Sequence, residues 1–443
     1  MLKRKNFQFV LCLATASLFG VQVRAQSQSN DSLKQAVSEL NKTVEVLKRI
    51  KITGWIQAQY QWAEEKGAAN LDGGDFASNS DQRFMIRRGR VKFTYTQKLS
   101  QFVFQLNGTE RGVNLVEIFG KVTDPWTKSI SLTAGVMNRP FGFEIEQSSS
   151  VRESPERSRY SQILMPNERD LGAKITFEPS VDKKFYGLKI DAGFYNGQGI
   201  AVPGTNSSIA STGAFVNDGV NEFDGFKDFI GRLSYYRNSK DERYRYGIGL
   251  SHYNGGIVNR SNILYELDGN SYVAADTTSQ TFKGKSASRK YVGTELFFSV
   301  KSILGKTTLR GEYIFGIQPG VDNSSRSASA LPAKKAAYLR DFNGSYAYLI
   351  QRLGQTKHEL VLKYEWYDPN DKLSSSELSS NNFGIGPADV KYTALGMGYN
   401  YYYDANLLFM FCYNMVTNES TNINGYTKNL GDNVFTIRMQ YKF

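Results

Sequence analysis

The chain has 443 residues, 54 Lys+Arg against 42 Asp+Glu for a formal charge of +12, and 13% aromatics in an otherwise polar composition. That aromatic content beside only 10 Pro excludes a disordered chain. No stretch of 18 apolar residues exists to form a membrane helix, and 2 Cys with 2 His exclude a disulfide scaffold and a Cys/His zinc site.

Lys3, Arg4 and Lys5 precede a mostly apolar run from Phe7 to Gly20, and Val23-Arg24-Ala25 sets small residues at the two positions a signal peptidase reads. Residues 1–25 therefore read as an export signal. Cys12 lacks the Gly/Ala-Cys context of a lipoprotein signal, so lipidation is not expected. Cleavage would remove Lys3, Arg4, Lys5 and Arg24 and no acidic residue, taking +12 to +8. Cys412 would be the single cysteine of the exported chain, which excludes an internal disulfide.

Residues 26–50 form a second unit. Leu33, Val37, Leu40, Val44 and Leu47 recur at spacings of 4 and 3, the a/d pattern of a coiled coil, and Ser32 with Gln35 has capping-box spacing. So short a helix is marginal alone in water. It either lies on its own domain or associates with copies of itself; the heptad pattern favours self-association, with a trimer as the expected state.

From residue 51 to 443 the period becomes 2. In the first segment Ile52, Ile56, Ala58, Tyr60 and Trp62 alternate with Thr53, Trp55, Gln57, Gln59 and Gln61. In the last, Phe435, Ile437, Met439, Tyr441 and Phe443 alternate with Thr436, Arg438, Gln440 and Lys442. About sixteen such segments follow one another: 52–62, 83–97, 100–110, 114–124, 130–139, 169–178, 185–196, 226–236, 244–254, 289–301, 305–317, 341–351, 357–367, 390–402, 404–415 and 432–443. The gaps between them alternate short and long, with Arg111–Val113 the sole short member of the long set. A soluble sandwich has no reason to sort its loops in this way, whereas a transmembrane antiparallel β-barrel has short turns on its periplasmic rim and long loops outside. An even strand count puts both termini in the periplasm, and the helix with them. Low hydropathy with many aromatics then follows, since half of each strand meets lipid and half meets water. Tyr60, Trp62, Trp126, Trp366, Tyr399, Tyr401 and Tyr441 near strand ends fit interfacial girdles. Phe443 resembles the terminal signal that outer-membrane assembly machinery reads.

Sixteen strands enclose an aqueous lumen. On the second strand Val91, Phe93 and Tyr95 face out, which turns Arg88, Arg90 and Lys92 inward as a basic column. Lys121 and Arg139 fall on polar faces too, as do Lys174, Lys189, Arg232 and Arg310. The third external loop, 140–168, carries Arg152, Arg157 and Arg159 with Ser154 and Ser158; folded inward, it would bring them near the column. Guanidinium forks grip oxyanions bidentately, and rings of Arg and Lys select anions by charge. The plainer alternatives are that luminal charge only solvates the pore, alongside Glu117, Asp191, Glu295, Glu312, Glu359 and Glu365, and that the loop is a charged surface cap.

The stretches RFMIRRGRVKFTY (83–95), GVMNRPFGFE (135–144) and ERDLGAKI (168–175) resemble the phosphate-selective porin O/P family over residues 51–443. The resemblance implies a sixteen-stranded trimeric outer-membrane porin with an anion-binding constriction of Arg and Lys. Arg88, Arg90 and the run Arg139–Gly142 match the family pattern by position.

The expected activity is passive diffusion of small hydrophilic solutes, with anions of the phosphate type preferred. The alternative is a general or sugar-type pore, for which Trp55, Phe119, Tyr195 and Tyr367 supply inner aromatics. Loops acting as adhesins are a third possibility. An enzyme is not expected, because alternation sends Ser251 and His252 to opposite faces. Asp72-Gly73-Gly74-Asp75 reads as a turn before it reads as a Ca²⁺ site. No cofactor or metal is called for. The expected partners are outer-membrane lipid and lipopolysaccharide, copies of the chain itself and small anionic or polar solutes, with no nucleic acid.

Overall fold

The computed structural model describes residues 32–197, 199, 224–275, 281–321, 336–379 and 384–443. The export signal expected at 1–25 lies outside them. Sixteen strands form the barrel wall: β1 (Ile50–Ala63), β2 (Gln82–Gln97), β3 (Ser100–Thr109), β4 (Gly112–Thr123), β5 (Ile130–Asn138), β6 (Arg169–Phe177), β7 (Leu188–Tyr195), β8 (Asp228–Asn238), β9 (Tyr244–Val258), β12 (Ser286–Ser302), β13 (Gly305–Val321), β14 (Ala337–Leu353), β15 (His358–Asp368), β16 (Tyr392–Tyr402), β17 (Leu407–Asn418) and β18 (Val434–Lys442). Each pairs antiparallel with the next, and β9 pairs with β12. β18 returns to β1 in the register Trp55↔Lys442 to Ala63↔Val434, so no edge is left open. Phe443 completes the seam: its N–H donates to Gly54 O at 3.0 Å, and the Gly54 N–H donates to Phe443 O at 3.1 Å.

Alternation decides which face each residue takes. On β1, Gln57, Gln59 and Gln61 are buried in the lumen, whereas Ile52, Ile56 and Trp62 are exposed outside. The same exposed band continues around the wall through Phe102, Leu132, Ile175, Leu250, Leu296 and Leu362. An apolar belt of that extent is unstable in water and matched to hydrocarbon. Trp62 and Phe84 end the belt at one rim, Trp126 and Tyr441 at the other.

The two rims differ as the loop lengths require. At the short-turn rim Lys98 takes φ of 53° in the tight β2–β3 hairpin. In the next turn the Asp124 carboxylate accepts the backbone N–H groups of Trp126, Thr127, Ser129 and Ile130. Those bonds, Ile130's foremost, hold its carboxyl well below the usual range. At the opposite rim β12, β13 and β14 run 17 residues each, beyond the roughly 9–11 a membrane crossing needs. Their ends support a cap in which Tyr272, Tyr338, Leu378, Ile385, Tyr392 and Ile423 share one apolar cluster, with an Arg340–Asp389 ion pair of 2.9 Å inside it. The hairpin β10 (Leu264–Asp268) and β11 (Ser271–Ala274) belongs to this cap; β10 runs parallel to β14 and stands outside the sixteen.

The N-terminal segment 32–47 is an α-helix, α1, which leads into β1. All of its residues are exposed, including Leu33, Leu40 and Leu47, so it does not rest on its own barrel.

Leu296, 67% exposed on the outer face, tests the lipid assignment. Leu296→Arg is expected to lower the unfolding free energy in lipid vesicles, that is to destabilise the barrel, by about 2–4 kcal/mol. A loss below about 1 kcal/mol would show that this face does not meet hydrocarbon.

Candidate functional site

The third connection of the long-loop rim (L3, 139–168) lies inside the barrel. Gly142, at φ of 63°, turns the chain inward, and a Cβ there would lie 2.2 Å from Glu312 Oε2. Two short helices follow, α2 (Gly142–Glu146) and α3 (Arg159–Leu164). Phe141, Ile145, Tyr160 and Leu164 pack into one buried cluster with Tyr195, Ile230, Tyr253, Tyr291, Ile314, Phe342 and Tyr346 of the wall. Polar bonds fix the helices within that cluster. Glu144 accepts the Ser158 hydroxyl at 2.6 Å and the Ser161 hydroxyl at 2.7 Å. Glu312 accepts the Glu144 N–H at 2.6 Å and the hydroxyls of Tyr160 and Tyr346.

Three glutamates on L3 reach across the lumen to cations on the wall. Glu146 meets Arg232 at 2.7 Å, Lys189 at 2.9 Å and Lys174 at 3.8 Å. Glu153 meets Arg310 at 3.0 Å, whose guanidinium stands over Tyr348 and Phe143. Glu156 meets Arg88 and Arg438 at 2.6 Å each and Arg87 at 3.0 Å. Burial alone would raise the Glu156 carboxyl, but Arg87, Arg88 and Arg438 outweigh it and hold it well below the usual range. Amides add to the tether: Gln57 donates to Ser149 O at 2.9 Å, Gln440 to Ser150 O at 3.0 Å and Asn400 to Glu153 O at 2.9 Å.

The residues expected to form the basic constriction have different surroundings. Arg88 is buried on Glu156. Lys92 pairs with Glu117 at 2.9 Å. Arg90 faces Trp55 at 5.7 Å, and its Nε is buried without a hydrogen-bond partner among the described residues. Lys121 lies on β4 opposite Gln101 and Thr133, toward the short-turn rim. Arg139 is sealed against Asp170 at 3.5 Å, at the top of β5 and β6. Arg157 serves the loop itself, donating to Glu144 O, Ile145 O and Gln147 O and pairing with Glu168. Arg152 is buried, with no partner on any guanidinium nitrogen among the described residues. Arg159 stacks at 3.5 Å on Tyr392, among the long loops. Arg87 and Arg88 thus meet Arg438 on one carboxylate, while Arg139 and Arg159 lie apart from them.

Arg87 and Arg438 join the expected Arg88 on Glu156. Arg438 falls on the polar face of its strand by simple alternation. Arg87 does not: strict alternation sends it outward. A bulge opposite Gln57 and Ala58 leaves Arg87 unpaired in the ladder and turns it toward Glu156 beside Arg88. Of the inner aromatics, Tyr195 and Tyr367 are fully buried in the L3 cluster, with Phe119 packed against it. Ser251 faces inward and accepts the Gly142 N–H at 2.9 Å, whereas His252 points outside. Asp72 is held by Asn414 at 2.8 Å, and Arg83 donates to the carbonyls of Gly74 and Asp75. Beneath α2, toward the short-turn rim, a cavity of about 530 Å³ opens between Phe143, Glu146, Lys189, Arg232, Tyr236 and Arg245.

No family model and no curated protein matches the chain. Among solved structures it is similar to OmpF of Salmonella typhi in complex with daunomycin, at 10% identity over 89% of this chain and 97% of that one, with a TM-score of 0.53. It is also similar to the outer membrane channel DcaP of Acinetobacter baumannii, at 10% identity over 89% and 97%, with a TM-score of 0.48. The chain has the porin fold. At such identity the likeness concerns the fold alone.

Glu156→Gln would leave three guanidiniums facing a neutral amide, and a loss of about 3–5 kcal/mol of stability is expected. The pH dependence has a definite sign. Because the folded carboxyl lies below its unfolded value, its contribution is complete above the unfolded pKa near 4.3 and disappears as pH falls through the folded one. Acid unfolding curves should therefore flatten in Glu156→Gln; curves parallel to wild type would remove Glu156 as the anchor of L3.

Proposed function

We propose that the chain is an outer-membrane porin for passive diffusion of small hydrophilic solutes, with a preference for anions. The observation that supports this reading is the charge left over beside L3. One carboxylate, Glu156, answers three guanidiniums, while Arg90 and Arg152 have no carboxylate partner among the described residues. Positive potential in a narrow, low-dielectric passage raises the local anion concentration and repels cations. The resemblance of 83–95, 135–144 and 168–175 to the phosphate-selective family makes small oxyanions the first solutes to try.

A second reading, a general pore, also rests on an observation. On the opposite wall Glu146 and Glu153 balance much of the charge of Lys174, Lys189, Arg232 and Arg310. Only an excess at Glu156 that reaches the solute path makes the pore selective. A sugar-selective path has less support, since Tyr195 and Tyr367 are occupied in packing L3.

In this reading the short-turn rim faces the periplasm, with α1 beneath it, and lipid and lipopolysaccharide surround the belt. The exposed stripe Leu33, Val37, Leu40, Val44 and Leu47 is the element through which three copies would associate.

Reversal potentials across planar bilayers under a KCl gradient test the selectivity. Wild type should give the anion-selective sign, and Arg88→Gln with Arg438→Gln should reduce the anion-to-cation permeability ratio severalfold. A cation-selective wild type would discard anion preference and leave the general pore.

A further inference from the structure

A second loop enters the lumen. The connection between β1 and β2 (L1, 64–81) carries Asn70-Leu71-Asp72-Gly73-Gly74, turned by Gly73 and Gly74 at φ of 137° and 92°. The turn lies flat on inward side chains: a Cβ on Gly73 would stand 2.9 Å from Met85 Sδ and 3.1 Å from Arg83 Nη2. The Asp72 carbonyl accepts Gln61 Nε2–H at 3.0 Å and Gln59 Nε2–H at 3.5 Å, and Arg83 donates to Gly74 O at 2.8 Å. The Asp72 carboxylate reaches across β18, which lies between β1 and β17, to accept Asn414 Nδ2–H at 2.8 Å.

This places a carboxylate beside the L3 anchor. One glutamine links the two: Gln59 donates to Asp72 O and accepts Arg438 Nε–H at 2.9 Å, and Arg438 grips Glu156. Asp72 is only half-buried, so it meets solvent in the lumen. Its partner is the neutral Asn414 amide, and it has no ion pair among the described residues. Glu156 is spent on Arg87, Arg88 and Arg438, whereas the charge of Asp72 is not spent. In a narrow, low-dielectric passage such a charge acts on every passing ion, less screened than on an open surface. We propose that Asp72 is a specificity-determining residue of the solute path, held there by L1, where its carboxylate offsets the field of the wall arginines and keeps the passage open to solutes other than anions. The inference rests on the reading of the chain as a diffusion channel and not on which ion that channel prefers.

Reversal potentials of the full chain in planar bilayers under a KCl gradient test it. Burial first, and Glu156 after it, raise the Asp72 carboxyl against the pull of Lys363, Arg87 and Arg438, so recordings are made at about pH 8 to keep it ionised. Asp72→Asn keeps an acceptor for Asn414 and removes only the charge; it should raise the anion-to-cation permeability ratio severalfold over wild type. Asp72→Glu should stay near wild type. Asp75→Asn makes the same change of charge on an exposed side chain of the same loop and should leave the ratio unaltered. Asp72→Cys should lose conductance on treatment with a charged methanethiosulfonate, a readout independent of the asparagine variant, whereas wild type, whose Cys412 is buried, should keep it. A cation-selective wild type that shifts toward anions in Asp72→Asn would discard the anion preference and uphold this proposal. An unchanged ratio in Asp72→Asn, an equal rise in Asp75→Asn, or an Asp72→Cys channel indifferent to the thiol reagent overturns it.

Discussion

Charge buried inside a closed barrel has to be answered from inside it, and here the answer comes from one loop. The wall turns Arg87, Arg88, Arg438, Lys189, Arg232 and Arg310 inward, and L3 brings Glu146, Glu153 and Glu156 to meet them. Surface pairs of this type are worth little, because water screens them and side-chain entropy opposes them. Within the lumen Glu156, Arg88 and Arg438 are all buried, and breaking one side strands the other. The loop is therefore held by the cost of its departure more than by the strength of any single contact.

The same loop is fixed in two physically different ways around the barrel. Toward β7–β14 it is seated by an apolar cluster, in which Phe141, Ile145 and Tyr160 interlock with Tyr253, Tyr291 and Phe342. Toward β1, β2 and β18 it is held by ions and amides: Glu156 on three arginines, Gln57 on Ser149, Gln440 on Ser150. Apolar packing excludes water and solute, whereas a polar contact can exchange with either. Under the proposed function, the solute path beside L3 therefore lies on the polar side, by Glu156 and its arginines.

Lipid contact is the reason so much of the architecture is legible in the sequence. Every wall strand must present an apolar outer face, so the period of 2 persists through sixteen segments, and 52–62 differs from Ile50–Ala63 only by fraying at the ends. The inward direction of Arg88, Arg90 and Lys92 follows from the same rule. Arg87 escapes it because a bulge breaks the parity; Gly89 inside the strand is the local hint of such a break, but it does not say which neighbouring residue is the extra one. The β10–β11 hairpin was within reach, since Asp268-Gly269-Asn270 between short apolar alternations is a turn signal, with Gly269 at φ of 60°. The state of the loop arginines was not. Arg152 and Arg157 are five residues apart and chemically alike, yet among the described residues Arg157 has four acceptors and Arg152 none, a difference set by tertiary placement.

The central claim is that L3 is pinned across the lumen by the grip of wall arginines on Glu156. A double-mutant cycle in unfolding free energy between Glu156→Gln and Arg438→Gln measures that grip most directly. The 2.6 Å contact between the two side chains, both nearly inaccessible, should give a coupling of about 0.5–3 kcal/mol. Two losses that add to within about 0.3 kcal/mol would mean the residues do not sense each other, and L3 would not be held in the way described.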